Sequence, residues 1–539
     1  MNFPFALMTA LLVSMALIPL LMRLAPHIGM VDMPDPRKVH SRPVPRVGGI
    51  GIVLGSLVAI LVWGSLPGWM PAYLVGSVVL LLFGAWDDSH EIGHYVKFVG
   101  QFAAAMLVVY WGGLSVAHFP FIDDALPAAI GQLFTVIALV GVINAMNHSD
   151  GLDGLAGGES LMSLGCMAYL AYLAGGTDLV IVAGAVIGGV FGFLRFNTHP
   201  ARVFMGDSGS QFLGFTVGTL AILLTQQVNP SLSMAIPLLI IGLPIVDILA
   251  VLAQRVHQRM NWFRATRNHV HHRLLDLGFG HYETVVIIYA VQAVLVVFAI
   301  LCRYESDTMV LGLYAAVCAL LFFCLATAEG RSWQAQHGLM RRTTPGMLER
   351  FAARENLARW PLGFIGLAIP AYFLVASIAL KQIPYDCGVA GVLSAVLILA
   401  GFLLSRTTPH ALTLIRLGVF SAAGLLVYLT EAGAGAAGGF IADLQVGFFV
   451  LLALAIGLTI RLSREDEFHT TPLDYLLIGI VLVGSALAQE LENGLDVAAV
   501  IVKLIVLLYG SELLINRVGQ KSGPLSLAAF VASFGITAR

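Results

Sequence analysis

Five short polar segments interrupt an otherwise apolar chain, and each carries residue types that can handle a phosphate or a cation. The fullest is NAMNHSDGLDGLAGG at 144–158, which sets Asp150 and Asp153 among glycines at the foot of an apolar run. A charged side chain at that position is energetically unfavourable, so it usually has a functional role. On a helical turn, the i, i+3 spacing would direct both carboxylates to one side, and the glycines would let backbone amides approach an anion. This segment therefore predicts a functional site rather than a membrane span.

Two further segments are acidic. The sequence WDD ends an apolar run with Asp87 and Asp88, and Lys97 follows in the same polar loop. Adjacent acids at a lipid interface suit cation binding or proton handling, although a solvated helix end is the alternative. The segment RFNTHPARVFMGDSGS at 195–210 ends in a Gly-Asp-Ser-Gly turn, where Asp207 could offer oxygen to magnesium and the turn amides could contact phosphate. The alternative is an Asx turn that caps the next helix.

The last two segments are basic. HVHHRL, residues 269–274, could bind zinc, but no cysteine or further acid accompanies it closely and its basic neighbours would repel a cation. We therefore expect an anionic substrate there. KVHSRPVPRVGGIG, residues 38–51, is a proline-stiffened loop that alone would indicate only cytoplasmic positive charge and a helix start. Taken together, the five segments predict a cation held between phosphates.

The elements that must position these segments are membrane helices. Hydrophobic residues make up 58% of the 539 residues and charged residues 11%, against about a quarter charged in soluble domains. Apolar runs of about 17 to 22 residues predict roughly seventeen helices, about eleven before a basic linker at 329–360 and about six after it. We expect an all-α, polytopic membrane protein with a catalytic domain at 1–328 and a C-terminal extension at 361–539. The five cysteines form no CxxC pair and predict neither a disulfide framework nor a zinc site.

The distribution of positive charge predicts the orientation. If the helices alternate, one set of loops holds the basic residues at 37–46, 97, 202, 255–273 and 331–359. The positive-inside rule makes this set cytoplasmic, with the N-terminus outside and the C-terminus inside. The first apolar run lacks a basic start and a cleavage site, so we expect a retained helix. All five polar segments are then predicted on the cytoplasmic face.

The order of KxHxxPxPRxGG, DD, NxxNxxDGLDGLAGG, FNxxPAxxFMGDSGS and HxHHRL resembles the polyprenyl-phosphate N-acetylhexosamine-1-phosphate transferases of glycosyltransferase family 4, over residues 1–328. The resemblance implies a membrane enzyme that moves a sugar 1-phosphate from a UDP-N-acetylhexosamine to undecaprenyl phosphate, releases UMP and needs Mg²⁺, with Mn²⁺ as the alternative. The HxHHRL form resembles the UDP-N-acetylglucosamine branch, which begins O-antigen, common-antigen or teichoic-acid linkage synthesis. This implies a bacterial inner-membrane enzyme of lipopolysaccharide or cell-wall biogenesis that binds no nucleic acid.

The resemblance also implies residue roles. Asp207 matches the magnesium ligand, Asp87 and Asp88 the acidic pair beside the lipid phosphate, and Asp150 and Asp153 the nucleotide pocket, with Asp153 facing uracil. One acid of the pair would serve as a base, although a phosphate monoester with a second pKa of about 6 is already mostly dianionic at pH 7. The expected substrate contacts are Lys38, Lys97, Asn147, Asp153, Asn197, His269, His271, His272 and Arg273. Asp247, inside an apolar run, fits a family position or is a packing residue.

Several alternatives stay open at this point. A transporter or flippase of lipid-linked sugars would also be polytopic, but it would need polar groups near the bilayer midplane. A catalytically silent scaffold should have lost acidic site residues, and all are present. The extension is either a module that passes product to a later glycosyltransferase or flippase, or a structural or dimerising appendage. Lys503 lies there in an apolar run with no partner visible in the sequence. The sequence decides neither the sugar epimer nor whether attack is direct or passes through a phospho-aspartate.

Overall fold

The computed structural model of the chain forms two compact units. It describes residues 2–34, 42–122, 124–259, 268–330, 355–380, 383–404, 411–434, 439–462, 497–518 and 523–537. The first unit contains the described residues up to Gly330 and the second those from Glu355 onward. Lys38 and much of the predicted linker lie outside the described residues.

The first unit consists of helices and one short antiparallel ribbon. The ribbon pairs β1 (Val31–Asp32) with β2 (Val44–Pro45). The helices are α1 (Phe3–Leu24), α2 (Gly48–Trp63), α3 (Met70–His90), α4 (His94–Met106), α5 (Ala128–Ser149), α6 (Leu155–Leu173), α7 (Thr177–Asn197), α8 (Gly206–Leu223), α9 (Ile236–Ile241), α10 (Leu243–His257), α11 (Val270–Asp276), α12 (His281–Leu301) and α13 (Asp307–Gly330). Short π-helical turns extend α4 over Leu107–Trp111 and α8 over Leu224–Val228.

The second unit is a bundle of helices. They are α14 (Glu355–Ala379), α15 (Tyr385–Leu404), α16 (Ala411–Ala434), α17 (Gly439–Leu462), α18 (Val497–Val518) and α19 (Gly523–Thr537). Lys503 of α18 forms a buried ion pair with Glu431 of α16, and its Nζ lies 5.6 Å from the ring centroid of Phe449 on α17. A second pair joins the same two helices, with Arg416 Nε 2.8 Å from Glu512 Oε2. Lys503 therefore has a partner that the sequence did not reveal.

The chain is a multi-pass membrane protein by length and composition of its helices. Within the described ranges, nine helices are long and apolar enough to cross a bilayer, and four shorter helices are also apolar. The spanning segment of α8 is the most enclosed, with 94% of its apolar window buried. The prediction of an all-α, polytopic fold is confirmed, and α8 lies at the centre of the first unit.

Small residues bring α8 close to its neighbours. A Cβ atom on Gly49 of α2 would lie 2.1 Å from the Gly209 nitrogen, and one on Gly84 of α3 would lie 2.4 Å from the Ser208 Cα. Such close backbone approach is a common way for membrane helices to pack. As a result, the first turn of α8 is fixed against α2 and the last turns of α3.

Local structure differs from expectation at three of the polar segments. Residues 150–154 form a non-helical loop between α5 and α6, so the helical turn considered for Asp150 and Asp153 is wrong. The Gly-Asp-Ser-Gly sequence is the first turn of α8 rather than a turn before it. The histidine segment is mostly helical, because α11 begins directly after His269.

Candidate active site

Lys97 joins two carboxylates from different helices. Its Nζ lies 2.6 Å from Asp87 Oδ2, in the last turns of α3, and 2.8 Å from Asp207 Oδ2, in the first turn of α8. The chain reverses between α3 and α4 through Glu91 in a left-handed conformation, which returns Lys97 to the end of α3. Burial alone would lower the pKa of Lys97, but the two carboxylates outweigh it and raise the pKa above its ordinary value. Lys97 is therefore a fixed cation in an acid cluster that we define as Asp87, Asp88, Asp150 and Asp207.

Asp207 is oriented by two further side chains. Asn147 Nδ2 donates to Asp207 Oδ1 over 3.1 Å and lies 2.8 Å from Ser210 Oγ. Gln211 Nε2, one turn along α8, donates to Asp207 Oδ2 over 2.9 Å. Hydrogen bonds of this kind favour the ionised carboxylate. Asn147 thus acts here on Asp207, and its predicted contact with substrate stays a prediction.

Asp88 differs from Asp87 because both of its carboxylate oxygens accept backbone N–H groups of helix α8. Asp88 Oδ1 accepts the Asp207 N–H at 2.8 Å, and Oδ2 accepts the Ser208 N–H at 3.1 Å. A carboxylate there satisfies two of the unpaired amides at the helix start and complements its positive end. Gly206 has φ +72°, and a Cβ on it would lie 2.6 Å from Asp88 Oδ1. Asp88 therefore caps α8 and positions Asp207.

Asp87 and Asp150 give the acid cluster more negative charge than Lys97 can balance. Asp87 is 5% exposed, and its Oδ1 has no hydrogen-bond partner among the described residues. Asp150 is half-buried at the end of α5, and burial together with the charges of Asp207, Asp88 and Asp153 raises its pKa to about 7. An unsatisfied buried carboxylate oxygen costs free energy. Hard oxygen ligands in excess of cations fit Mg²⁺, and Asp87 Oδ1 and Asp207 are the groups that could hold it.

Asp153 turns to a histidine instead of the acid cluster. Its Oδ2 lies 2.6 Å from His199 Nδ1 and accepts the Ala201 N–H at 3.0 Å. Burial alone would raise the pKa of Asp153, but these two contacts lower it below its ordinary value. The His281 ring stacks on the His199 ring with centroids 4.0 Å apart. Sequence reasoning missed both histidines, although His199 lies in one of the five quoted segments.

Asn197 stabilises the 150–154 loop, which carries Asp150 and Asp153. Its Oδ1 accepts the Gly154 N–H at 2.8 Å, and its Nδ2 donates to the Val203 carbonyl at 2.8 Å. Tyr289 on α12 donates to the Gly154 carbonyl over 2.7 Å. Gly154 itself has φ +84°, a conformation that glycine adopts without strain. The Asn197 amide is used for positioning in this structure, and its predicted substrate contact stays a prediction.

The histidine segment is anchored by Asp247. Asp247 Oδ2 lies 2.7 Å from His269 Nδ1, and Oδ1 accepts the Val270 N–H at 2.8 Å, so this buried acid caps α11. His271 packs on the loop of Asp150, because a Cβ on Gly151 would lie 2.3 Å from His271 Nε2. Burial, with the neighbouring His272, lowers the pKa of His271 to about 3. His271 is therefore neutral and can offer hydrogen bonds but not charge.

Arg273 pairs with Glu329 on α13 and not with a member of the acid cluster. Its Nε and NH2 donate to the two carboxylate oxygens of Glu329 on α13, over 2.7 and 2.9 Å. A bidentate pair fixes the planar guanidinium well. The roles of His269, His272 and Arg273 in substrate binding stay predictions, as does that of Lys38, which lies outside the described residues.

Comparison with known proteins finds a family match and several named relatives. The family model described as glycosyl transferase family 4 matches residues 70–225, which contain the acid cluster. A Bacillus subtilis (strain 168) protein named a probable undecaprenyl-phosphate N-acetylglucosaminyl 1-phosphate transferase is 34% identical over 321 residues, 59% of this chain and 89% of that protein.

Two further relatives carry related names. An Escherichia coli (strain K12) undecaprenyl-phosphate alpha-N-acetylglucosaminyl 1-phosphate transferase is 28% identical, over 59% of this chain and 89% of its own length. A Mycobacterium tuberculosis (strain ATCC 25618 / H37Rv) decaprenyl-phosphate N-acetylglucosaminephosphotransferase is 33% identical, over 49% of this chain and 74% of its own length. With the acid cluster in place and a 34% identical relative matched over most of its length, the chain belongs to glycosyl transferase family 4.

Proposed function

We propose that this protein transfers an N-acetylhexosamine 1-phosphate, with N-acetylglucosamine as the first candidate sugar, from its UDP-sugar to undecaprenyl phosphate and releases UMP. The observation that carries the proposal is the acid cluster, in which Lys97 pairs with Asp87 of α3 and Asp207 of α8, and in which the charges of Asp207 and Asp88 act on Asp150 at the end of α5. The family and the names of the relatives support the same reaction.

The reaction exchanges one phosphoanhydride for another. An oxygen of the lipid phosphate attacks the β-phosphorus of the UDP-sugar, a new P–O bond forms, and the bond from the β-phosphorus to the UMP oxygen breaks. Because bond types on the two sides are alike, the transfer should be reversible. The lipid phosphate, with a second pKa of about 6, is mostly dianionic at pH 7 and needs no strong base. Positioning and charge neutralisation then carry most of the catalysis.

A divalent cation fits the acid cluster as the cofactor, with Mg²⁺ first and Mn²⁺ as the alternative. Asp207 and the unpartnered Oδ1 of Asp87 would hold it, and it would neutralise charge on the departing UMP. Lys97 adds a fixed positive charge for phosphate oxygens. Asn147 and Gln211 hold the Asp207 carboxylate in one orientation, and Asp88 holds the helix that carries it.

The nucleotide and sugar would bind between the 150–154 loop and the histidine segment. His271 packs on that loop at Gly151, and Asp247 fixes His269 beside it. The neutral imidazole of His271 suits hydrogen bonds to sugar hydroxyls, whereas Lys97 suits phosphate. We place the protein in the bacterial inner membrane with this site on the cytoplasmic face, because the basic loops and the acid cluster fall on the same side under the positive-inside rule.

The reverse reaction offers a direct test. Purified full-length protein is incubated with radiolabelled UMP, undecaprenyl-diphosphate-N-acetylglucosamine and Mg²⁺, and label is followed into UDP-N-acetylglucosamine. We expect exchange that a chelator abolishes and that Mg²⁺ restores. The decaprenyl substrate and the N-acetylgalactosamine epimer, run in parallel, report specificity.

A matched pair of carboxylate-to-amide variants controls for folding. Asp207→Asn should abolish exchange, whereas Glu305→Gln, at an exposed position between α12 and α13, should leave it in place. Folded protein that exchanges no label with any aminosugar lipid would overturn the proposal. Exchange that persists after chelation would overturn the metal assignment alone.

A further inference from the structure

A second group of potential metal ligands lies outside the acid cluster. Asp153 comes from the loop between α5 and α6, His199 follows α7, and His281 is the first residue of α12. One ligand atom from each lies within 4.8 Å of the other two. Three chain segments that are distant in the sequence therefore present a carboxylate and two imidazoles to one another.

The three groups contact one another directly. His199 Nδ1 lies 2.6 Å from Asp153 Oδ2, and His281 Nε2 lies 3.5 Å from the Asp153 carbonyl oxygen. The rings of His199 and His281 stack with centroids 4.0 Å apart and planes inclined by 20°. A carboxylate and two imidazoles this close together supply ligand atoms of the kinds that transition metals prefer.

The surrounding structure fixes the ligands. Ala201 donates its N–H to Asp153 Oδ2 over 3.0 Å, and Tyr282 donates its hydroxyl to the His199 carbonyl over 2.8 Å. His281 Nδ1 is buried and has no hydrogen-bond partner among the described residues. Supporting contacts of this kind orient ligands in metal sites. Hydrogen bonds among these residues therefore leave one buried ring nitrogen of His281 unsatisfied.

We propose that Asp153, His199 and His281 bind one transition-metal ion of the zinc class, at a centre separate from the acid cluster. Two imidazoles and one carboxylate are a common zinc set that leaves a fourth position for water or a substrate atom. The set disfavours Mg²⁺, which prefers oxygen ligands. The acid cluster offers only oxygens, so the two centres are expected to select different metals.

A bound ion would join three segments that border the active site. These are the loop with Asp150, the segment that leads from α7 to Asp207, and the start of α12. The inference rests on the geometry of these residues and not on the proposed transfer reaction, so either can fail without the other.

Metal retention tests the inference directly. Full-length protein in detergent is stripped with a chelator, incubated with Zn²⁺ in the presence of excess Mg²⁺, desalted, and measured for zinc by mass spectrometry. We expect about one equivalent of retained zinc. His199→Ala and His281→Ala should lose most of it, whereas His118→Ala, an exposed histidine elsewhere, should not. His271→Ala tests whether the histidine segment binds zinc instead.

X-ray absorption of the zinc-loaded wild-type protein gives a readout that needs no variant. Two imidazole nitrogens and one or two oxygens at about 2.0–2.2 Å would support the centre. No retained zinc in the wild-type protein would overturn the proposal. Zinc that is lost only in His271→Ala, or an absorption spectrum with oxygen ligands alone, would do the same.

Discussion

Two groups of buried charged residues in this chain differ in their net charge. In the first unit, the acid cluster contains four carboxylates, of which Asp87 and Asp207 contact Lys97, and Asp87 Oδ1 has no hydrogen-bond partner among the described residues. In the second unit, Glu431 and Lys503 are one acid and one base, 7% and 8% exposed, and they neutralise each other. An ion pair of one acid and one base needs no further partner. An excess of buried negative charge, in contrast, favours binding of a positively charged ligand. The difference indicates that buried charge serves binding in the first unit and helix association in the second.

The largest effect on the exchange rate should come from removing the charge of Asp207 in the acid cluster. Asp207→Asn keeps the size of the side chain but removes the carboxylate that Lys97, Asn147 and Gln211 hold. We expect the UMP exchange rate to fall by about 10³-fold or more, because charge stabilisation in a closed site contributes on this scale. The rate is measured at saturating Mg²⁺. An Asp207→Asn protein within tenfold of wild type would show that the cation is held elsewhere.

Breaking the balanced pair should affect stability and not turnover. Lys503→Met leaves Glu431 buried without its partner, and loss of one member of a buried pair costs about 3–5 kcal/mol. We expect a lower Tm and unchanged exchange per folded molecule at low temperature. The double variant Glu431→Leu with Lys503→Met should recover much of the Tm. Lost exchange in a folded single variant would mean that this pair takes part in the reaction.

The same two measurements, Tm and exchange rate, should distinguish the roles of the adjacent acids Asp87 and Asp88. Asp88→Ala removes the cap of α8, which is worth about 1–2 kcal/mol, and should lower both Tm and exchange. Asp87→Asn should abolish exchange at little or no loss of Tm, because one oxygen of Asp87 already lacks a partner. Equal losses of Tm in the two variants would contradict this division of roles.

The smallest effect concerns the pH dependence of stability. In the fold, the Asp150 pKa is raised from its ordinary 3.8 to about 7. Between these values the folded protein holds a proton that the unfolded chain has released, so this group makes stability fall as pH rises. Asp150→Asn should remove this slope and become more stable than wild type by about 1 kcal/mol near pH 8, without divalent metal. Thermal unfolding across that pH range checks it. A Tm difference that is independent of pH would contradict the raised pKa.

Much of the site follows from its motifs, because those motifs are local. The all-α fold follows from apolar run length, and the acids at positions 87, 88, 150 and 207 follow from their place at the ends of those runs. The sequence could not show that Asp88 accepts two amides from α8, since that contact joins positions 119 and 120 residues apart. For the same reason, the sequence indicated Lys97 only as a possible substrate contact and did not show that it lies between Asp87 and Asp207.

The contacts that sequence reasoning missed all depend on helix packing. His199 and His281 meet because the start of α12 contacts the segment that follows α7, and nothing in their spacing indicates it. Lys503 and Glu431 are 72 residues apart on different helices. The 150–154 loop was taken as a possible helical turn because its i, i+3 spacing fits one, yet Gly154 and the Asn197 contact hold it in a loop.

The capping role of Asp88 has a consequence for inhibitor design. A ligand with two positive groups, built to grip both members of the Asp87–Asp88 pair, would find only one acid available, because the backbone of α8 occupies the other. One positive group directed at Asp87 Oδ1 is the better starting point. Resistance by substitution of Asp88 would also be costly to the protein, since the same change would release the helix that carries Asp207.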